Sequence, residues 1–261
     1  MTTTFDILGG RISLRVQRFG EGEPLLYIHP EGGLAPRDPL LTHLAERYTV
    51  FAPEFPGTTP GDPYAIHALD GWTDVVLAYE EVTRRLGLER PVVVGQSFGG
   101  MLAADLAAHF PALPSRLVLV APVGLWHDDH PVRNWTTVAP DKTAGMLFHD
   151  PAGDAAKAAL TLPTDPDQMR AVLLARVWSM ACTGRFAWPF PDHGLRGRLH
   201  RVAAPTLLVW GRDDRIVDAA YAKEFTAGIA SSSATVIDEC GHVPQVEQYR
   251  QTAAAVDAFL A

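Results

Sequence analysis

Val92-Val93-Val94-Gly95-Gln96-Ser97-Phe98-Gly99-Gly100 passes from a β-branched run through a glycine-rich turn into an apolar segment that continues to Phe110. Three consecutive valines read as a buried strand, and the segment after the turn reads as a helix. The turn has the pattern Gly-x-Ser-x-Gly, which carries chemistry when a strand precedes it and a helix follows. Ser97 is then expected on a tight, strained turn, its Oγ standing off the edge of a sheet. Gly95 and Gly99 are needed because a side chain at either would collide across the turn, and Gly100 lets the helix pack close. The helix N-terminus sets partial positive charge beneath Ser97 and aims the Phe98 N–H at a developing oxyanion. Glycine-rich strand–helix turns also arise by chance, so the rest of the chain must arbitrate.

On the N-terminal side, Ile12 to Val16 alternates as a strand does, and Leu25-Leu26-Tyr27-Ile28 reads as a buried strand. Pro39 to Tyr48 reads as a helix and Tyr48 to Ala52 as a strand stopped by Pro53. From Trp72, apolar residues at Val75, Val76, Tyr79, Val82 and Leu86 form the stripe of an amphipathic helix that Gly87 ends. Arg116 to Ala121 is the next strand. A second block begins at Pro205: strand Thr206–Trp210, helix Asp218–Ile229, strand Ala234–Ile237 and a closing helix Glu247–Leu260. Short, doubly apolar strands alternating with helices predict a mainly parallel sheet covered on both faces.

Residues 126–200 interrupt that alternation. They contain no convincing strand, are punctuated by Pro131, Pro140, Pro151, Pro163, Pro166, Pro189 and Pro191, and read as short helices. At about 75 residues the stretch far exceeds an ordinary connection, so it is expected to be a structured insertion. Four of the six tryptophans fall in it, at 126, 135, 178 and 188. It is either a helical subdomain with its own small core or a lid whose aromatics wall a substrate pocket. The expected division is a core of residues 1–125 and 201–261 with a cap of 126–200.

Composition narrows the class. The chain has 261 residues, 47% hydrophobic, and its 22 basic against 30 acidic residues leave a net charge of −8. That apolar fraction excludes disordered and collagen-like readings, and the charge argues against a nucleic-acid partner. Two cysteines, Cys182 and Cys240, cannot build a disulfide framework. No secretory signal or membrane-length apolar run is read, so the expectation is a cytoplasmic protein with no membrane partner and a small-molecule substrate. Homo-oligomerisation stays open.

A serine nucleophile needs a base, and the base needs an orienting acid. After the Thr206–Trp210 strand comes Gly211-Arg212-Asp213-Asp214, and after the Ala234–Ile237 strand comes Asp238-Glu239-Cys240-Gly241-His242. The order Ser97, acid, His242 is the one expected when three chemistry-bearing turns share the carboxyl edge of one parallel sheet. Asp214 and Asp213 are both candidates for the acid.

With these motifs, and with Ile28-His29 opening a loop after an early strand, the chain resembles an α/β-hydrolase with a helical cap, over Ile12 to Leu260. The resemblance implies Ser97 as nucleophile, His242 as base and then acid, and Asp214 as orienter, since the family's Gly-x-x-Asp spacing favours it over Asp213. It implies neither metal nor organic cofactor. The loop His29-Pro30-Glu31-Gly32-Gly33 departs from the family's usual His-Gly. Pro30 has no N–H, so Glu31 N–H is the expected oxyanion partner of Phe98 N–H. A glutamate there hinders acyl transfer unless it turns outward, is protonated, or meets a cationic or hydroxylated substrate group. His29, Trp126, Trp178 and Trp188 are the expected pocket residues, although His29 better suits orienting the loop.

The implied activity is hydrolysis of a small or medium, largely apolar carboxylic ester or lactone through an acyl-enzyme. The alternatives are a C–C bond hydrolase of ring-cleavage products, whose usual oxyanion loop and aromatic residue after the histidine are not matched by Pro30-Glu31 and Val243, and a non-catalytic ligand-binding member of the fold. Perhydrolysis is a side activity of the fold. Epoxide and haloalkane hydrolases carry an aspartate where Ser97 stands. His127-Asp128-Asp129-His130 reads as a polar turn rather than a metal site. Arg84, Arg85, Arg170 and Arg185 read as surface charges, and Cys240 as packing.

Overall fold

A strand such as Val92–Gln96, apolar on both faces, is stable only inside a sheet with helices above and below. That is its setting in the computed structural model, which describes residues 1–35, 38–58 and 62–261. In chain order the elements are β1 Thr2–Ile7, β2 Ile12–Phe19, β3 Glu23–Ile28, α1 Pro39–Leu44, β4 Tyr48–Pro53, α2 Trp72–Arg85, β5 Val92–Gln96, α3 Phe98–His109 and β6 Arg116–Val120. Then come α4 Thr143–Leu147, α5 Asp154–Leu160, α6 Pro166–Ala187, β7 Thr206–Gly211, α7 Tyr221–Gly228, β8 Ser232–Ile237, α8 Pro244–Glu247 and α9 Tyr249–Leu260.

Among the described residues the sheet has eight strands in the order β1-β2-β4-β3-β5-β6-β7-β8. The pairs β1–β2 and β2–β4 are antiparallel, and every pair from β4–β3 to β7–β8 is parallel. Alternation along the strands sorts side chains into two layers. Leu26, Ile28, Val93, Leu117 and Leu119 join the core under α2, α3 and α7. Leu25, Tyr27, Val94, Val118 and Val120 face the opposite way, onto Leu40, Leu41 and Leu44 of α1 and Val256 and Leu260 of α9. A fully buried aliphatic side chain stabilises by about 1.5–3 kcal/mol, so each central strand is held from both sides.

The fold is the α/β-hydrolase fold, and the segment between β6 and β7 carries α4, α5, α6 and three single 3₁₀ turns. Four elements differ most from the sequence reading. β1 was not foreseen, because Thr2-Thr3-Thr4 is exposed and polar, and the strand exists through its ladder with β2. The helix read from Pro39 to Tyr48 stops at Leu44, and the one read from Asp218 starts at Tyr221, after Asp218 Oδ1 accepts the Ala220 N–H at 2.8 Å. The closing helix is two pieces, broken at Gln248 with φ −121° and ψ 51°.

The largest correction lies in the stretch of residues 126–200. In place of short helices alone it contains the 22-residue α6, started by Pro166 in its first turn and an Asp165 side chain that accepts the Gln168 N–H at 2.9 Å. The prolines mark its ends: none lies between Pro166 and Pro189.

Candidate active site

Ser97 joins β5 to α3 and has φ 50° and ψ −115°, a conformation L-residues rarely adopt. Such strain is worth on the order of 1–3 kcal/mol and persists only where the surroundings enforce it. The Ser97 N–H donates to Val120 O at 2.9 Å, and Ser97 O accepts from Met101 N at 3.0 Å and Val123 N at 3.2 Å. A Cβ on Gly95 would lie 2.3 Å from Gly99 O, one on Gly99 2.1 Å from Ile28 O, and one on Gly100 2.8 Å from Pro122 Cβ. The three glycines therefore let β5, α3 and β3 approach as the turn requires. Phe98 is the first residue of α3, so its N–H belongs to the turn that has no intrahelical acceptor.

Parallel strands deliver the other groups to the same edge. Asp214 follows β7 by three residues and His242 follows β8 by five. His242 Nε2 lies 2.9 Å from Ser97 Oγ, and His242 Nδ1 lies 2.8 Å from Asp214 Oδ2. The other carboxylate oxygen, Asp214 Oδ1, accepts the Ile216 N–H at 2.8 Å and the Val217 N–H at 2.9 Å. Asp213, the competing acid, points instead at His149, with Oδ2 2.8 Å from Nδ1. Ser97 and His242 are closed off from solvent, at 0% and 1% exposure. Burial disfavours the His242 imidazolium, but the charges of Asp214, which also hydrogen-bonds it, and of Glu31 outweigh that and raise its pKa above the ordinary 6.5.

On the neighbouring edge, the chain leaves β3 through His29-Pro30-Glu31. His29 Nε2 accepts the Phe55 N–H at 2.9 Å, so Nδ1 carries the ring hydrogen and donates it to Pro30 O at 2.7 Å. Burial holds its pKa down at about 4. Both ring nitrogens are thus committed to backbone, so His29 braces this loop. The next four residues form a turn closed by Gly33 N–H to Pro30 O at 3.1 Å. Glu31 O accepts from Ser179 Oγ at 3.1 Å and lies 3.2 Å from Thr183 Oγ1, both on α6. These two hydroxyls were not foreseen; their only sequence signal is the i, i+4 spacing on one helix face. Glu31 is partly exposed, and its Oε2 is buried with no hydrogen-bond partner among the described residues.

A second clamp holds the histidine loop. Glu247 Oε2 accepts the N–H of Gly241 and, at 3.1 Å, of His149, while Oε1 accepts that of Asp150 at 3.0 Å. The His242 N–H donates to Leu147 O at 2.8 Å. The segment between β6 and β7 is therefore hydrogen-bonded both to the turn after β3 and to the loop that carries His242.

The three tryptophans expected at the pocket differ in setting. Trp126 is half-buried, donates to Asp128 Oδ1 at 2.9 Å and packs edge-on against Phe190 with centroids 5.0 Å apart. Trp178 is 39% exposed, donates to Pro63 O at 3.1 Å and lies edge-on to Tyr64. Trp188 packs edge-on against Trp135 at 4.8 Å, its buried indole N–H having no partner among the described residues. Among the described residues no group of three or more His, Cys, Asp or Glu could hold a metal, and no helix is long and apolar enough to cross a membrane. Arg84 and Arg85 pair with Glu80 and Glu81, and Arg170 with Asp167. Arg185 is exposed, as read, and donates to Ile66 O at 2.8 Å and Leu69 O at 3.0 Å. Burial pushes the thiols of Cys182 and Cys240 up to about 11 and about 12, which keeps them unreactive.

The sequence profile of the alpha/beta hydrolase family matches residues 25–255, and the chain belongs to that family. Its relatives include the 2-hydroxy-6-oxo-2,4-heptadienoate hydrolase of Pseudomonas putida, 27% identical over 98% of this chain and 95% of the relative. They also include the pimeloyl-[acyl-carrier protein] methyl ester esterase of Nitrosomonas europaea, 26% identical over 95% of this chain and 99% of the relative. Among solved structures, a meta-cleavage product hydrolase from Pseudomonas fluorescens superposes with a TM-score of 0.78 at 20% identity, covering 99% of this chain and 97% of that one. Hydrolases of C–C bonds and of esters thus stand at similar distance.

Proposed function

We propose that the protein is a serine hydrolase that cleaves a small or medium, largely apolar carboxylic ester or lactone through an acyl-enzyme. The observation that carries this reading is the pair of short hydrogen bonds from a strained Ser97 through His242 to Asp214, sealed from solvent. Ser97 Oγ attacks the carbonyl carbon as His242 Nε2 takes its proton, and Asp214 holds the tautomer that leaves Nε2 free to accept it. The N–H groups of Phe98 and Glu31 receive the oxyanion. The imidazolium then protonates the leaving alkoxide, and a water deprotonated by His242 hydrolyses the acyl-enzyme. Because the cap closes the site, substrate entry requires α6 and the 147–150 segment to shift.

The C–C alternative draws its support from relatives such as the heptadienoate hydrolase. Against it stands Glu31, since a dienoate is itself an anion and would enter beside an unpaired buried carboxylate oxygen. Val243 also stands where the C–C branch usually has an aromatic residue. A panel of neutral esters and lactones set against a 2-hydroxy-6-oxo-dienoate separates the two readings. Turnover of esters that Ser97→Ala abolishes supports the proposal; turnover of the dienoate alone replaces it with the C–C reading. Ligand binding without turnover of either would make the protein a binding member of the fold.

A further inference from the structure

The side chain of Glu31 plays no part in the reaction steps above, yet it stands at the site. Oε2 is buried and meets no partner among the described residues, and the Glu31 charge bears directly on His242. A buried polar oxygen left unpaired is costly. The backbone does not easily carry the side chain away. The Glu31 carbonyl is tied to Ser179, with Thr183 Oγ1 at 3.2 Å, and Gly33 closes the turn at φ 92°, where a Cβ would lie 3.0 Å from Ser179 Oγ. The residue whose N–H is proposed to receive the oxyanion therefore also holds a carboxylate close enough for its charge to bear on His242.

We infer that Glu31 is a specificity-determining residue whose carboxylate receives a hydrogen-bond donor, an ammonium or hydroxyl group, carried on the acyl chain close to the scissile carbonyl. This rests on the serine hydrolase reading and narrows it: the substrate is apolar apart from one donor, and acyl groups bearing a carboxylate are excluded. A site built to pair such a donor rejects the analogue that lacks it, because the oxygen is then left unpaired in the closed complex.

The test is a matched series of ethyl esters: 2-aminobutanoate, 2-hydroxybutanoate, butanoate and ethyl hydrogen succinate, followed by pH-stat with wild-type protein and Glu31→Gln. In the wild type at least one donor-bearing ester should exceed butanoate in kcat/KM by about tenfold or more, with the succinate poorest. In Glu31→Gln the ratio should shrink and the succinate should improve relative to butanoate. Preference for the amino ester identifies an ammonium, and preference for the hydroxy ester a hydroxyl. Equal turnover of all four by the wild type overturns the inference while leaving the serine hydrolase reading intact, as does a preference that Glu31→Gln leaves unchanged. Failure of every ester, with Ser97 unreactive to a fluorophosphonate, removes both.

Discussion

Asp214→Asn should all but silence the protein, and the structure says why an isosteric change is enough. Asp214 Oδ1 accepts two backbone N–H groups, from Ile216 and Val217, and Oδ2 accepts from His242 Nδ1. An asparagine must place its NH2 on one side or the other. Facing the two backbone donors it would forfeit two hydrogen bonds, about 1 kcal/mol each, and set donors against donors at a further desolvation cost of similar size. The amide nitrogen therefore faces His242, Nδ1 becomes an acceptor, and the ring hydrogen moves to Nε2. Nε2 then donates to Ser97 Oγ in place of accepting its proton. Losing the base through the wrong tautomer lowers kcat by about 10⁴, or ~5.5 kcal/mol of barrier. Steady-state kinetics on the best ester reads this directly, and Asp213→Asn, whose carboxylate meets His149 instead, should stay close to wild type. A loss below about tenfold in Asp214→Asn, or an equal loss in Asp213→Asn, would refute the tautomer argument.

Two further outcomes follow from the same geometry. His242 must be neutral to accept a proton, and Asp214 and Glu31 raise its pKa, so kcat/KM should fall on the acid side with a midpoint above 6.5. In stability the direction is opposite: the imidazolium–Asp214 pairing contributes fully below 6.5 and is lost as pH rises through the raised folded value. The melting-temperature gap between wild type and Asp214→Asn should accordingly shrink from about pH 6 to about pH 9, and a gap that widens would contradict it. Removing both cap hydroxyls that face the Glu31 carbonyl, in Ser179→Ala/Thr183→Val, should lower kcat by about tenfold with less effect on KM, and Thr183→Ser on the Ser179→Ala background should recover part of it. An unchanged kcat would show that the turn holds itself.

Much of the site was legible because its residues are tied to turn chemistry that sequence displays. Gly95, Gly99 and Gly100 surround Ser97 for reasons of contact distance, and Asp214 and His242 sit just past apolar strands that announce themselves. What was not legible depends on tertiary partners. β1 is polar and has no periodic signal until β2 pairs with it. α6 hid in a proline-rich stretch whose helix ends, Pro166 and Pro189, read as interruptions. Ser179 and Thr183 look like any helix hydroxyls until the Glu31 carbonyl is set beside them. The direction of the Glu31 side chain was open in sequence, because it follows from that docking and not from the loop's own residues.

The central claim is that Ser97 is an activated nucleophile, and the most direct measurement is to expose the folded protein to a fluorophosphonate and locate the adduct by mass spectrometry. The account predicts one adduct, on Ser97, formed at a rate that falls steeply in Asp214→Asn. Folded protein that stays unlabelled, or a label on any other residue, would contradict it.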